Sequence, residues 1–261
     1  MKLAALYPNP LGDELAGTAM VAEAGAAGIA ARPEVFVDDN FSLHIDPGVL
    51  ASSLSDAGLE LAAVWASRPV LDHGSPEAGV AYITSCIDLA DALRDFAPPG
   101  ALPVVVCDAG TGDKREDWPK LVEALKAIGQ HAEARQVILA LRPDRATMLD
   151  RSRNALNLLT EVGASYVQAA LDAAATVGDK DTLDKAVERL KDNIVIACAR
   201  DVKFDAAGAP SYLPAGEGML NYQQYVALLG GAPGCAYMVA TEFAPGDGAR
   251  ASLARLKGLV G

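Results

Sequence analysis

At 261 residues the chain is long enough to bury one large core, and barrels of this size commonly form a single domain, here 1–261. A net charge of −12, spread along the whole sequence, argues against a nucleic-acid partner, because phosphate binding needs a concentrated basic surface. With 51% hydrophobic and 21% charged residues the composition is that of a globular protein, and no apolar run approaches membrane-spanning length.

Short β-branched or apolar runs alternate with longer amphipathic segments about eight times. The predicted strands cover 2–7, 28–32, 60–65, 102–107, 136–141, 166–171, 194–199 and 235–241. Helical periodicity fills 14–25, 78–96, 118–134, 146–162 and 182–190, with a shorter pair at 222–229 and 249–256. Val-rich runs without strict alternation indicate strands buried on both faces, as in a parallel sheet covered by helices. Eight such units in this length predict a closed (β/α)8 barrel. A doubly wound open sheet is the runner-up, but the first strand runs into Tyr7-Pro8-Asn9-Pro10 without a Gly-x-Gly-x-x-Gly turn.

The four cysteines, Cys86, Cys107, Cys198 and Cys235, are widely spaced, with no Cys-x-x-Cys pair. That usage fits a reducing compartment, and the apolar stretch before Pro8 is too short for a signal peptide, so a cytoplasmic protein is expected.

In a barrel the site is built where strands feed their following loops, so the strand ends carry the functional reading. The fifth strand ends Leu139-Ala140-Leu141-Arg142-Pro143, and the sixth ends Ala170-Leu171-Asp172. The seventh gives Cys198-Ala199-Arg200-Asp201-Val202-Lys203, and the eighth gives Val239-Ala240-Thr241-Glu242. Pro214-Ala215-Gly216-Glu217-Gly218 and Leu220-Asn221-Tyr222 lie between them. In this order the segments resemble the xylose isomerase-like TIM-barrel family of sugar isomerases and epimerases. The resemblance spans nearly the whole chain in layout and is specific mainly from residue 137 onward.

That resemblance implies a site in which Glu, Asp, His and Glu from strands five to eight hold one divalent ion and the glutamates move protons. Here the first Glu is Arg142, the His expected after Asp172 is Ala175, and the His and Lys of the seventh-strand motif are Cys198 and Arg200. The family's frequent Glu on strand two is Ala30. Asp172 and Glu242 remain. A guanidinium in that shell repels a divalent ion, so no metal and no other cofactor is expected. Arg142 instead takes the metal's place, binding Asp172 and Glu242 and offering its charge to a substrate carbonyl, carboxylate or phosphate. A plain salt-bridge cluster closing the barrel is the equally weighted alternative.

Other candidates are secondary. Trp65 and Tyr7 end the third and first strands and would shape a pocket or simply fill the core. Asp201, Arg200 and Lys203 leave the seventh strand either as site groups or as loop and surface charges. Cys198 faces the barrel mouth and reads as a small buried residue, since no histidine is placed to activate it. His73, in the loop 66–76, is a candidate proton carrier or a surface group. Glu217 sits in a glycine turn over the same rim. Asp108 either points inward or caps the loop 109–112, while His44 and His131 carry no signal.

The expected activity is proton abstraction beside a carbonyl on a small polyhydroxy, sugar-like or anionic substrate, leading to isomerisation, epimerisation or dehydration. Glu242 would be the base, Arg142 would stabilise the enolate oxygen and Asp172 would orient Arg142. The rival is a catalytically degenerate barrel that binds a small anionic ligand or a partner protein. A membrane partner is not expected, and homo-oligomerisation is left open.

Overall fold

A computed structural model describes residues 1–8, 14–33, 46–71, 76–177, 181–241 and 248–260. Eight parallel strands close into a barrel: β1 Lys2–Pro8, β2 Gly28–Arg32, β3 Glu60–Trp65, β4 Val104–Asp108, β5 Ile138–Arg142, β6 Val167–Asp172, β7 Ile194–Phe204 and β9 Tyr237–Ala240. Pairing follows this order, and β9 returns to β1 (Ala4 opposite Val239) while also pairing with β7 (Cys198 opposite Val239). Around them lie α1 Glu14–Glu23, α2 Pro47–Ala57, α3 Pro76–Ala92, α4 Trp118–Arg135, α5 Ser152–Val162, α6 Ala173–Thr176, α7 Leu183–Leu190, α8 Tyr222–Leu229 and α9 Gly248–Lys257. The barrel expected from the strand–helix alternation is the one observed.

Local chemistry sets the helix ends. Asp46 accepts the Gly48 N–H at 2.7 Å ahead of Pro47, and Gly58 ends α2 in the left-handed region at φ 63°. Asn221 caps α8 through the Gln224 N–H.

Two departures from the expected elements shape the site. The helix expected over 146–162 begins only at Ser152. After Pro143 the Asp144 carboxylate accepts the Ala146 N–H at 3.0 Å and the Asp144 carbonyl accepts the Thr147 hydroxyl, so a turn replaces the first helical turns. The seventh strand does not stop near residue 199 either. It runs to Phe204 and folds back through β8 Pro210–Pro214 as an antiparallel hairpin standing on the barrel's C-terminal end. Asp205 accepts the Ala207 and Ala209 N–H groups, and Gly208 takes φ 80°, which makes the reversal. Helix α2 was not anticipated.

The core has two parts. Outward-facing strand residues such as Leu3, Ile29, Leu61, Val105 and Leu139 pack under the helices. Inward-facing residues fill the barrel, and most are small: Ala4, Ala30, Ala63, Ala140 and Ala170, with Leu6, Val106, Cys198 and Val239. Trp65 and Tyr237 supply bulk within this interior cluster.

Candidate functional site

The two-residue period of a strand carries the inward ladder upward to its last rung. On β4 the inward Val106 is followed by Asp108, on β5 Ala140 by Arg142, on β6 Ala170 by Asp172, and on β7 Cys198 by Arg200. Four neighbouring strands therefore deliver alternating acid and base to the C-terminal mouth.

They join into one network. Arg142 donates from Nε and Nη2 to the two carboxylate oxygens of Asp108, at 2.8 and 2.7 Å, a bidentate fork. Its Nη1 donates to Asp172 at 3.1 Å and lies 3.6 Å from Asp144. Arg200 donates from Nη2 to Asp144 at 2.9 Å and reaches Asp172 at 2.8 Å. Asp172 has no exposed side-chain surface and is the hub: one oxygen meets both arginines, and the other accepts the Ala175 N–H at the start of α6. Three carboxylates against two guanidiniums leave this cluster with one net negative charge.

Burial works against charge on Arg142, but Asp108 and then Asp172 outweigh it and push the guanidinium pKa up, so the cation is fixed at every accessible pH. Arg200 behaves alike, held by Asp172 against burial. Aromatic faces support both: the Arg142 guanidinium lies 5.7 Å from the Trp65 ring centroid and that of Arg200 lies 3.6 Å from Tyr212, on the hairpin. Helix α8 steadies the strand ends, with Tyr222 donating to the Arg200 carbonyl at 2.8 Å and Tyr225 to the Leu171 carbonyl at 3.0 Å.

The predicted site residues separate into groups. Arg142, Asp172, Arg200 and Trp65 meet in this network, and Asp108 is the inward-pointing group that forms its firmest bond. Cys198 lies one rung below, where burial and then the Asp172 charge push its thiol well above the usual range, leaving an unreactive sulfhydryl. Asp201 is not brought to the mouth. Its buried carboxylate accepts the N–H groups of Val202, Gly216 and Leu220, so it organises the loop behind β7. Glu217 pairs instead with Arg255 on α9 at 2.8 Å, in solvent. Glu242 and His73, like His44, lie outside the described residues, as does the Tyr7 side chain.

Asp144 and Tyr212 were missed. Asp144 was not singled out, although a strand ending Arg-Pro-Asp signals a turn. Tyr212 carried no signal, because only the hairpin brings it over Arg200.

A divalent-ion site of the four-ligand kind does not fit these residues. A guanidinium occupies the centre on which Asp108, Asp144 and Asp172 converge. Among the described residues no group of three or more His, Cys, Asp or Glu is arranged to hold a metal. What the arrangement offers is a rigid buried cation. Among the described residues three of the five Arg142 N–H groups are taken by these bonds.

The family described as xylose isomerase-like TIM barrel matches residues 19–259. No curated protein matches the sequence. Among solved structures, D-psicose 3-epimerase of Clostridium cellulolyticum H10, crystallised with D-tagatose, is similar with a TM-score of 0.78 at 16% identity, covering 100% of this chain and 99% of that one. A probable 3-DHS dehydratase of Bacillus anthracis, involved in petrobactin synthesis, aligns at TM-score 0.74 and 16% identity over 98% and 99% of the two chains. A xylose isomerase-like TIM barrel protein of Mycobacterium smegmatis, in complex with magnesium, aligns at TM-score 0.74 and 17% identity over 100% and 98%.

Proposed function

The chain belongs to the xylose isomerase-like TIM barrel family, and on that premise we propose a sugar isomerase- or epimerase-like enzyme that abstracts a proton beside a carbonyl without a metal ion. The observation that carries the reading is the Arg142 guanidinium, clamped by Asp108 and Asp172 on the inward rung of the mouth, with two N–H groups that no described residue takes. Abstracting a proton next to a carbonyl builds negative charge on the carbonyl oxygen. A fixed cation already oriented by carboxylates stabilises that oxygen without reorganising during the reaction. In this role Arg142 touches the substrate oxygen, while Asp172 and Asp108 are positioning residues. Glu242, just past β9, is the proposed base, because every described carboxylate of the cluster is engaged with an arginine. The substrate class is a small polyhydroxy carbonyl compound.

That same engagement favours a second reading, a barrel that binds such a molecule without turning it over. One experiment separates the two. Purified protein is incubated in deuterated water with D-fructose and D-tagatose as probes, and deuterium at the carbon beside the carbonyl is followed by NMR. The enzyme reading expects incorporation by the wild type, its loss in Glu242→Gln and a fall of about 10²-fold or more in Arg142→Met, the scale of losing one oxyanion donor. Thermal stabilisation by the probes without incorporation supports the binding reading. Exchange that stops on treatment with EDTA and returns with Mn²⁺ would overturn the metal-independent chemistry.

A further inference from the structure

The mouth has a second half. On β2 the inward positions are Gly28, where an added Cβ would lie 3.0 Å from the inward Tyr237 ring, and Ala30, packed inside the barrel. Ile29 and Ala31 pack outward under the helices. The next inward rung is therefore Arg32, the last residue of β2. In an eight-stranded barrel β2 stands across from β6, so Arg32 faces the side of the mouth that carries Asp172.

Unlike Arg142 and Arg200, Arg32 has no carboxylate partner among the described residues, and its Nε is buried without any hydrogen bond. A second orphan lies two strands away. Thr241 follows the inward pair Tyr237 and Val239 on β9, and its Oγ1 is likewise buried with no partner. Buried donors are almost always satisfied, so two left open on one side of a barrel mouth mark where a ligand supplies the acceptors.

We propose that Arg32, assisted by Thr241, is the anion-binding arm of this site, and that the substrate is a polyhydroxy carbonyl compound carrying one carboxylate or phosphate group. The inference rests on the functional reading above and adds the substrate's charge to it. The two halves are electrically unlike: the three aspartates and two arginines of the β4–β7 cluster sum to −1, and the Arg32 guanidinium on the β2 side meets no carboxylate among the described residues. A molecule with an anionic end and a neutral carbonyl end meets both in a single orientation. Its anionic end is repelled by the aspartates and held by Arg32, which turns its carbonyl toward Arg142.

The test measures binding alone, so it is independent of turnover. Calorimetric titration compares D-fructose, D-fructose 6-phosphate and 2-keto-D-gluconate on the wild type, Arg32→Gln and Arg32→Lys. The expected result is that one of the two anionic probes binds the wild type about 10–100-fold more tightly than D-fructose, the worth of one charge-assisted contact. Arg32→Gln should erase that preference, so that the anionic probes bind no more tightly than D-fructose, and Arg32→Lys should keep part of it. Whichever anionic probe wins identifies the group as phosphate or carboxylate. Equal binding of charged and uncharged probes by the wild type, or an anion preference that survives Arg32→Gln, overturns the proposal. Should Arg32→Gln not fold, Arg32→Lys decides, because an anion preference undiminished in that variant overturns the proposal. Absence of proton exchange with unchanged Arg32 results would sink the catalytic reading and leave the anion arm standing.

Discussion

The two ends of the barrel use the same inward ladder for opposite purposes. At the C-terminal mouth the last rungs are Asp108, Arg142, Asp172 and Arg200, bonded to one another around the fully buried Asp172, with Asp108 the most exposed of the four. At the N-terminal floor the corresponding space is filled by the Tyr237 ring, whose hydroxyl donates to Glu60. Glu60 in turn pairs with Lys2 at 2.5 Å in a partly exposed position. An apolar cleft bordered by Pro98, Leu102, Val195 and Pro233 completes the floor. The contrast is one of burial. Ion pairs removed from water depend on each other, whereas the pair at the floor can fall back on solvent.

That contrast can be broken by substitution, and the largest effect belongs at Asp172. Asp172→Ala removes the acceptor shared by two buried arginines and should cost about 3–5 kcal/mol in urea unfolding, as breaking buried pairs does. A loss below about 1 kcal/mol would mean that the two arginines do not rely on this carboxylate.

Next comes the loop that Asp201 organises behind the mouth. A Cβ at Gly218 would lie 2.2 Å from the Asp201 Oδ1 and 2.6 Å from the Val202 carbonyl oxygen, so the loop closes only around a glycine. Gly218→Ala should cost about 2 kcal/mol, in the range of overpacking, and loosen Asp201 from its three N–H donors. Unchanged unfolding would show that this loop moves independently of β7.

Titration sharpens the comparison, because thiols at the two ends should behave alike. Burial raises Cys198 well above the usual range and pushes Cys235 up to about 12. A group with a raised folded pKa contributes fully below its unfolded value near 9 and loses that contribution as pH rises beyond it, by about 1.4 kcal/mol per pH unit. Stability measured from pH 8 to 10 should therefore fall less steeply in Cys198→Ala and in Cys235→Ala, by similar amounts. A slope indifferent to either replacement would contradict the burial of these thiols.

The smallest effect belongs to the floor's ion pair. Burial alone would raise the Glu60 pKa, but bonds from Lys2 and then Tyr237 outweigh it and hold the carboxyl below its usual value. The pair's contribution is thus present above the ordinary carboxylate range and lost as pH falls through the lowered value. Lys2→Met should change stability at neutral pH by no more than about 0.5–1 kcal/mol, the range for exposed pairs. A cost approaching that of Asp172→Ala would erase the distinction between the two ends.

How much of this was legible depended on whether the relevant contact was local. Arg142 and Asp172 announced themselves because a buried apolar strand that stops on a charge delivers it to a rim, and both lie in the network. Asp108 was named but left open between pointing inward and capping a loop, since strand parity needs a register to become a direction. Arg200 could not be told from a solvated strand end until the hairpin placed Tyr212 over it. Arg32 went unremarked, because nothing in Ala30-Ala31-Arg32-Pro33 says that its partners are missing; an absence of bonds exists only in three dimensions.

By itself the amino-acid sequence determined the barrel, since eight apolar runs separated by amphipathic helices bury their surface in few other ways. It also placed the strand ends that reach the mouth on β4, β5 and β6, though not on β7, which runs on to Phe204. Tertiary structure decided the partners. Which carboxylate meets which guanidinium depends on the registers of β4 to β7, on the turn at Asp144 and on the hairpin after Phe204. Charges brought together from residues 108, 142, 172 and 200 are joined by barrel closure, and that is a property of no single segment.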